Sequence, residues 1–217
     1  MKIKPIEILS ANLLNGNTQI SNNKTLEINF DAPTMADTLI IKNTDITSVI
    51  VEYKTTQNGP LTELAALENN QEKNIIFNFA EQAPSGFYFK FTFTSPNATC
   101  QAGQIILAKK LITLDNVLSS ITPDTYARQG HHYLADGALL KWVEFTKKTI
   151  DLRLSNMPPK LWQNLQNILN ANVFLTYIFY GDYAADTCSQ YALKAPAKSQ
   201  LERKTALYQV DISLIER

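Results

Sequence analysis

The chain has 217 residues, enough for one large β domain or for two domains of about 100 residues each. Its 20 basic and 20 acidic residues cancel, so no net charge draws it toward nucleic acid or anionic lipid, or opposes self-association. No run approaches the roughly 20 apolar residues of a membrane-spanning helix, and residues 1–5 contain no apolar segment of a secretion signal. We therefore expect synthesis in the cytoplasm, with no membrane insertion and no nucleic-acid partner.

The first half alternates apolar and polar residues in the period of two that is typical of half-buried strands. Such runs lie at residues 26–30, 39–41, 49–53, 75–79, 87–93 and 103–111. In one of them Phe87, Phe89, Phe91 and Phe93 fall on a single face, which predicts a wall of the core. About seven short strands separated by turn residues predict a β-sandwich or jelly roll over residues 1–113.

The second half, residues 114–217, is predicted to be a β domain that carries one helix. The alternation weakens between residues 113 and 124, where we place the domain junction. A hairpin around residues 135–137 leads into a strand that continues to residue 154. The alternation of that strand changes phase near residues 146–148, which predicts a bulge or bend. Further strands are predicted at residues 173–180, 190–193 and 208–214.

One helix signal lies between these strands. Residues Leu161, Trp162, Leu165, Ile168 and Leu169 form the apolar stripe of a helix that buries one face. A proline in the first turn loses no hydrogen bond, and Asn156 is expected to cap the helix. These features predict a helix over about residues 158–171.

The sequence contains no recognisable catalytic or metal-binding constellation. It has no serine–histidine–acid order, no glycine-rich phosphate loop and no CxxC pair. Cys100 and Cys188 lack the spacing of metal ligands and are expected to be buried or unreactive thiols. The adjacent His131 and His132 would point to opposite faces of a strand, so we expect them to be solvated. We predict no enzymatic activity, no metal and no cofactor.

The first half resembles galactose-binding-like (discoidin-type) jelly rolls. The resemblance rests on residues 103–107, Gly-Gln-Ile-Ile-Leu, which follow an aromatic strand, and on the edge at residues 39–44 with the strand at 49–53. The second half is similar to small tail proteins of bacteriophages and prophages. In that group a strand like residues 148–154 runs into a helix, and a β region ends in a strand like residues 208–216.

These resemblances imply a non-enzymatic structural subunit of a phage tail tip, baseplate or related injection particle. The fold that they imply for the second half is the one shared by tail-tube, distal-tail and baseplate-hub subunits. The implied partners are other tail or baseplate subunits in a homo- or hetero-oligomeric ring. The implied location is the virion tail, after synthesis in the bacterial host.

Two loops carry the polar groups that a sugar ligand would need. Asn43, Thr44 and Asp45 lie in one loop, and Asn97 and Gln101 lie in another. These residue types are also the ordinary residues of turns, and that interpretation remains open beside the first. An alternative function is therefore a carbohydrate-binding module for a host cell-surface glycan.

A third loop offers the remaining candidates. Asp182, Tyr183 and Asp186 could form an assembly contact or a ligand loop. A hydrolase whose site joins Asp182 or Asp186 with one of the two histidines is the last alternative. Among the aromatic residues, Tyr53 and Tyr88 are better candidates for stacking on a sugar than the four phenylalanines, although core packing is the main expectation for aromatic strand residues.

Overall fold

A computed structural model describes residues 6–14, 20–21, 24–115, 117–133, 139–172, 174–179 and 189–216. The chain divides into two compact units. Residues 9–111 form the first, which we call the sandwich unit, and residues 1–8 together with 112–217 form the second, the helix unit. Ile6, Glu7 and Ile8 thus belong with the second half of the chain and not with the segment that directly follows them.

The described residues are mostly β, as predicted, and contain one helix. The strands of the first half are β1 (Ile6–Leu9), β2 (Thr25–Met35), β3 (Thr38–Lys42), β4 (Ser48–Lys54), β5 (Thr62–Leu67), β6 (Ile75–Asn78), β7 (Ser85–Thr94), β8 (Gln104–Ala108) and β9 (Lys110–Leu114). The second half contains β10 (Leu118–Tyr133), β11 (Leu139–Met157), the helix α1 (Pro159–Ala171), β12 (Leu175–Phe179), β13 (Ser189–Leu193), β14 (Lys198–Glu202) and β15 (Leu207–Glu216).

The sandwich unit has two antiparallel sheets. One has the strand order β2-β7-β4-β5 and the other has the order β6-β3-β8. Both sheets contribute buried side chains to one hydrophobic cluster, which includes Phe89 and Phe91 from the first sheet and Leu39, Ile41 and Leu107 from the second. Burial of these apolar faces against each other provides the main stabilisation of the unit.

The helix unit is built on an eight-stranded sheet. Its strand order is β10-β11-β15-β13-β12-β1-β9, and β14 pairs with β15 beside this path. Residues of β11 alternate between buried Ile150, Leu152 and Leu154 and exposed Asp151 and Arg153, so one face of the sheet is apolar. That alternation is the reason this segment forms a half-buried strand.

The helix α1 covers Pro159–Ala171, which confirms the predicted helix. It buries Trp162, Leu165 and Leu169, and the Trp162 ring lies 6.4 Å from that of Tyr208 on β15. The expectation that Asn156 caps the helix is wrong, because the N-cap residue is Pro158 and no side chain caps the first turn.

Asn156 has a different role, in a β-bulge. Its φ is 58°, in the left-handed region, and the pairing of β11 with β15 shifts by one residue between Leu154 and Met157. An asparagine tolerates this conformation better than most residues with a Cβ. A second irregularity in β11 lies between Val143 and Phe145, shortly before the predicted position at residues 146–148.

The bulge leads to a stability prediction. Asn156→Gly is expected to change the free energy of unfolding by less than about 0.5 kcal/mol, because glycine adopts positive φ freely. Asn156→Val is expected to lower it by about 1–2 kcal/mol, because a β-branched residue is strained there. Urea denaturation of both variants measures the difference, and equal stabilities would contradict the assignment.

Candidate functional site

The two loops that carry the candidate sugar-binding residues meet in the sandwich unit through Asp45. Asn97 Nδ2 donates to Asp45 Oδ2 at 2.7 Å, and the Gln101 backbone N–H donates to Asp45 Oδ1 at 2.7 Å. The Thr44 hydroxyl donates to the Gln101 carbonyl oxygen, also at 2.7 Å. The structure therefore brings together residues that lie more than 50 positions apart in the chain.

Neighbouring residues extend this loop cluster. Lys24 Nζ donates to the carbonyl oxygens of Ser95 and Asn97, at 3.1 and 2.7 Å. The Asn43 backbone N–H donates to Asn74 Oδ1 at 3.1 Å, and Asn43 has a φ of 50°, which is a turn conformation. The candidate ligand-binding groups are thus largely engaged in hydrogen bonds that hold the loops together, as turn residues often are.

The pKa of Asp45 reflects these bonds. Partial burial of the carboxyl group acts to raise the pKa of Asp45. The hydrogen bonds from Asn97, Gln101 and Ser95 stabilise the charged form and outweigh burial, so the pKa lies below its ordinary value of 3.8. The charged carboxylate is therefore the form that joins the two loops.

We expect Asp45→Asn to lower the free energy of unfolding by about 1–2 kcal/mol at pH 7, because charge-assisted hydrogen bonds to a partly exposed group are lost. The pKa of Asp45 is lower in the folded state than in the unfolded state. The stabilisation by its charged form is therefore complete above pH 3.8 and is lost as the pH falls through the pKa of the folded state. Chemical denaturation from pH 7 to pH 2.5 should show the difference from wild type shrinking below pH 3.8. A stability difference between the two proteins that stays constant over this pH range would contradict the role given to the charged carboxylate of Asp45.

The other sequence candidates have different outcomes. Asp182, Tyr183 and Asp186 lie outside the described residues, as does Cys188. His131 and His132 lie in β10, where their backbones pair with Lys141 and Leu140 of β11. Cys100 is half-buried, and this burial raises the pKa of its thiol.

The pair β10 and β11 forms a ribbon that extends beyond the sheet. The β10–β11 ladder runs from Leu118 to Tyr133, but β15 pairs with β11 only from Thr149 to Met157. Residues 125–133 and 139–148 are therefore paired with each other and, within the described part of the chain, with no third strand. We call this segment the ribbon.

Where the structure describes its side chains, the ribbon is exposed on both faces. Residues 125–129 are all exposed, and so are residues 145, 146 and 148. Tyr126 and Phe145 are 41% and 38% exposed, and their ring centroids lie 5.9 Å apart. Lys194 Nζ lies 5.7 Å from the Tyr126 centroid, and Lys147 Nζ lies 6.0 Å from that of Phe145. The ribbon thus presents an aromatic pair beside two cations.

A shallow cavity of about 370 Å³ also lies on the sheet of the helix unit. Arg153 Nε and Asp211 Oδ1 form an ion pair across it at 2.9 Å. Both side chains are about half exposed, so the pair stabilises the surface only slightly. Its lining includes Ser120, Thr122 and Asp151, but no histidine or cysteine.

No known protein family matches the chain, and neither does any curated protein or solved structure. Among the described residues, no three histidine, cysteine, aspartate or glutamate side chains are grouped as ligands for a metal ion. The described part of the chain also has no helix with the length and apolar character needed to cross a membrane.

Proposed function

We propose that this chain is a non-enzymatic structural subunit of a phage-like tail tip, baseplate or related injection particle, and that it acts by subunit assembly. Its partners are other tail or baseplate subunits in a homo- or hetero-oligomeric ring, and its location is the virion. The observation that carries the proposal is the ribbon of β10 and β11.

A two-stranded ribbon by itself is marginally stable in water, and among the described strands none pairs with this one as a third strand. This ribbon also exposes the ring pair of Tyr126 and Phe145, which costs free energy as long as water surrounds it. Aromatic side chains with neighbouring cations are typical centres of protein–protein interfaces. A second subunit that covers the ribbon would remove both costs.

The position of β10 in the sheet supports the same proposal. It is 16 residues long and forms an edge of the sheet in the described part of the chain. The outer backbone groups of an edge strand can pair with a strand from another subunit. Because the formal net charge is zero, copies of the chain do not repel one another through net charge.

Fractionation of a lysate of the source organism or virus tests the proposal. Density-gradient centrifugation followed by detection of this chain should find it in the fractions that contain tailed particles. Electron microscopy of the same fractions should then show ring-shaped or tubular assemblies. A chain that is present only as a small soluble species would contradict the proposal.

A further inference from the structure

One edge of the four-stranded sheet in the sandwich unit is acidic. The strand β5 pairs with β4, and among the described strands none pairs with its other side. Residues 61–72, which we call the acidic edge, contain three glutamates and no lysine or arginine. Glu63 and Glu68 are both exposed. The acidic edge therefore presents negative charge at a side of the sheet where another subunit can bind.

The charges along this sheet call for a cation beyond β5. Glu63 stands directly opposite Glu52 in the pairing of β5 with β4. On the other side of Glu52, Lys90 Nζ lies 3.3 Å from its Oε2 atom. Within the described part of the chain, no cation forms an ion pair with Glu63. Like charges directly opposite each other destabilise a strand pair, so a basic side chain beside Glu63 would relieve the repulsion.

The ribbon has the opposite charge. Residues 125–133 and 139–148 contain four lysines or arginines and one glutamate. Arg128 and Lys148 are both exposed. Because like charges repel, one ribbon is poorly suited to cover another, whereas the acidic edge complements the ribbon in charge.

The side chains of the two surfaces also complement each other in size. Ala65 and Ala66 are adjacent in β5, so their small side chains lie on opposite faces of the sheet. Leu61, just before the strand, is 36% exposed. Large and small side chains at facing positions interdigitate. The exposed rings of Tyr126 and Phe145 on the ribbon would therefore find room, and an apolar contact, at the acidic edge.

The opposite edge of the same sheet, β2, is less suited to the ribbon. Glu27 stands opposite Lys90, so its charge is already balanced. Residues 30–33 stand opposite the single residue Phe87, which interrupts the regular pairing. This irregular part includes Pro33, which has no N–H group to donate to an added strand.

We propose that the ribbon of one copy of this chain binds the acidic edge of a second copy. The inference rests on the proposed function, because it names the partner that covers the ribbon. Leu64 is a bulged residue of β5, so charges and apolar side chains hold the two copies together more than a long backbone ladder does. Since the two surfaces differ, the contact is head-to-tail, and it produces a ring where the rotation between copies closes.

Reversal of the charges on each surface tests the proposal. The edge variant is Glu63→Lys/Glu68→Lys, and the ribbon variant is Arg128→Glu/Lys148→Glu. Each variant alone should weaken self-association at least tenfold in sedimentation velocity, because like charges then meet in the contact. An equimolar mixture should regain the association of wild type, because every contact between the two variants joins opposite charges. Raising the salt concentration from about 0.1 M to about 1 M should weaken the association of wild type.

The matched control is Asp31→Lys/Glu81→Lys. Both carboxylates are exposed in the sandwich unit outside the acidic edge, and the variant gains the same net charge as the edge variant. It should associate as wild type does. An equal loss of association in the control would make net charge the cause and would overturn the proposal. Ile50 of β4 also lies outside the contact, because β5 separates it from the bound ribbon.

Three further results would overturn the proposal. The first is an edge variant that associates as wild type does, and the second is a mixture that does not regain association. The third is a wild-type chain that shows no self-association at any concentration, because the partner of the ribbon would then be a different subunit. Circular dichroism of each variant checks that it is folded, and Glu68→Lys alone provides a milder edge variant. Sedimentation of the chain with tailed particles would still support the proposed function after any of these results.

Discussion

The double variant Tyr126→Glu/Phe145→Glu is expected to remain a folded monomer and to lose the ability to assemble. Both rings are exposed on the ribbon, so their replacement removes little core packing. In an interface, each buried aromatic centre is worth about 2 kcal/mol or more. Loss of both aromatic rings should weaken association by about 4 kcal/mol, or roughly a thousandfold. Sedimentation velocity over a range of concentrations measures the change.

The matched control for this variant is Ile50→Glu. Ile50 is 39% exposed on β4 of the sandwich unit, so the substitution also replaces an exposed apolar side chain by a charge, away from the ribbon. It should assemble as wild type does. Wild-type assembly by the double variant would show that the ribbon is not the interface, and the proposed function would lose its main support.

Phe91→Ala is expected to lower the free energy of unfolding by about 3–5 kcal/mol. Phe91 is completely buried in the cluster shared by both sheets of the sandwich unit, and its ring lies 6.1 Å from that of Phe79. Truncation to alanine leaves a cavity that neighbouring side chains fill only in part. Chemical denaturation followed by circular dichroism measures the loss.

Phe87→Ala is the control on the same strand. Because Phe87 is only half-buried, its truncation should lower the free energy of unfolding by less than about 1.5 kcal/mol. Similar losses at the two positions would mean that Phe87 contributes to the core as much as Phe91 does, in conflict with its partial exposure.

Some predictions from the sequence concern local patterns, and these agree closely with the structure. The stripe that includes Trp162, Leu165 and Leu169 predicted α1 to within about a residue at each end. The alternation in β7 predicted all four of its phenylalanines in the core, and three of them are buried there, whereas Phe87 is half-buried. In both cases a run of adjacent residues carries the complete signal, because burial of one face imposes a fixed period on the chain.

The strand β10 shows where that signal fails. Residues 113–124 were interpreted as a weak junction, yet β10 begins at Leu118 and continues to Tyr133. Most of the strand is exposed, so no apolar face imposes an alternation on it. Residues 62–67 were likewise not predicted as a strand, but they form β5, paired with β4 at the edge of its sheet.

The sequence by itself determined the β character of the chain, its single described helix and the polar loops at residues 43–45 and 97–101, since each depends on residues close together in the chain. Only the tertiary structure decided that Asp45 joins those loops, that residues 6–9 pair in the sheet of the helix unit, and that four residues of β2 stand opposite Phe87. Those features depend on pairing between distant segments. The period of one strand contains no information about its partner's register, so they could not be predicted from the pattern alone.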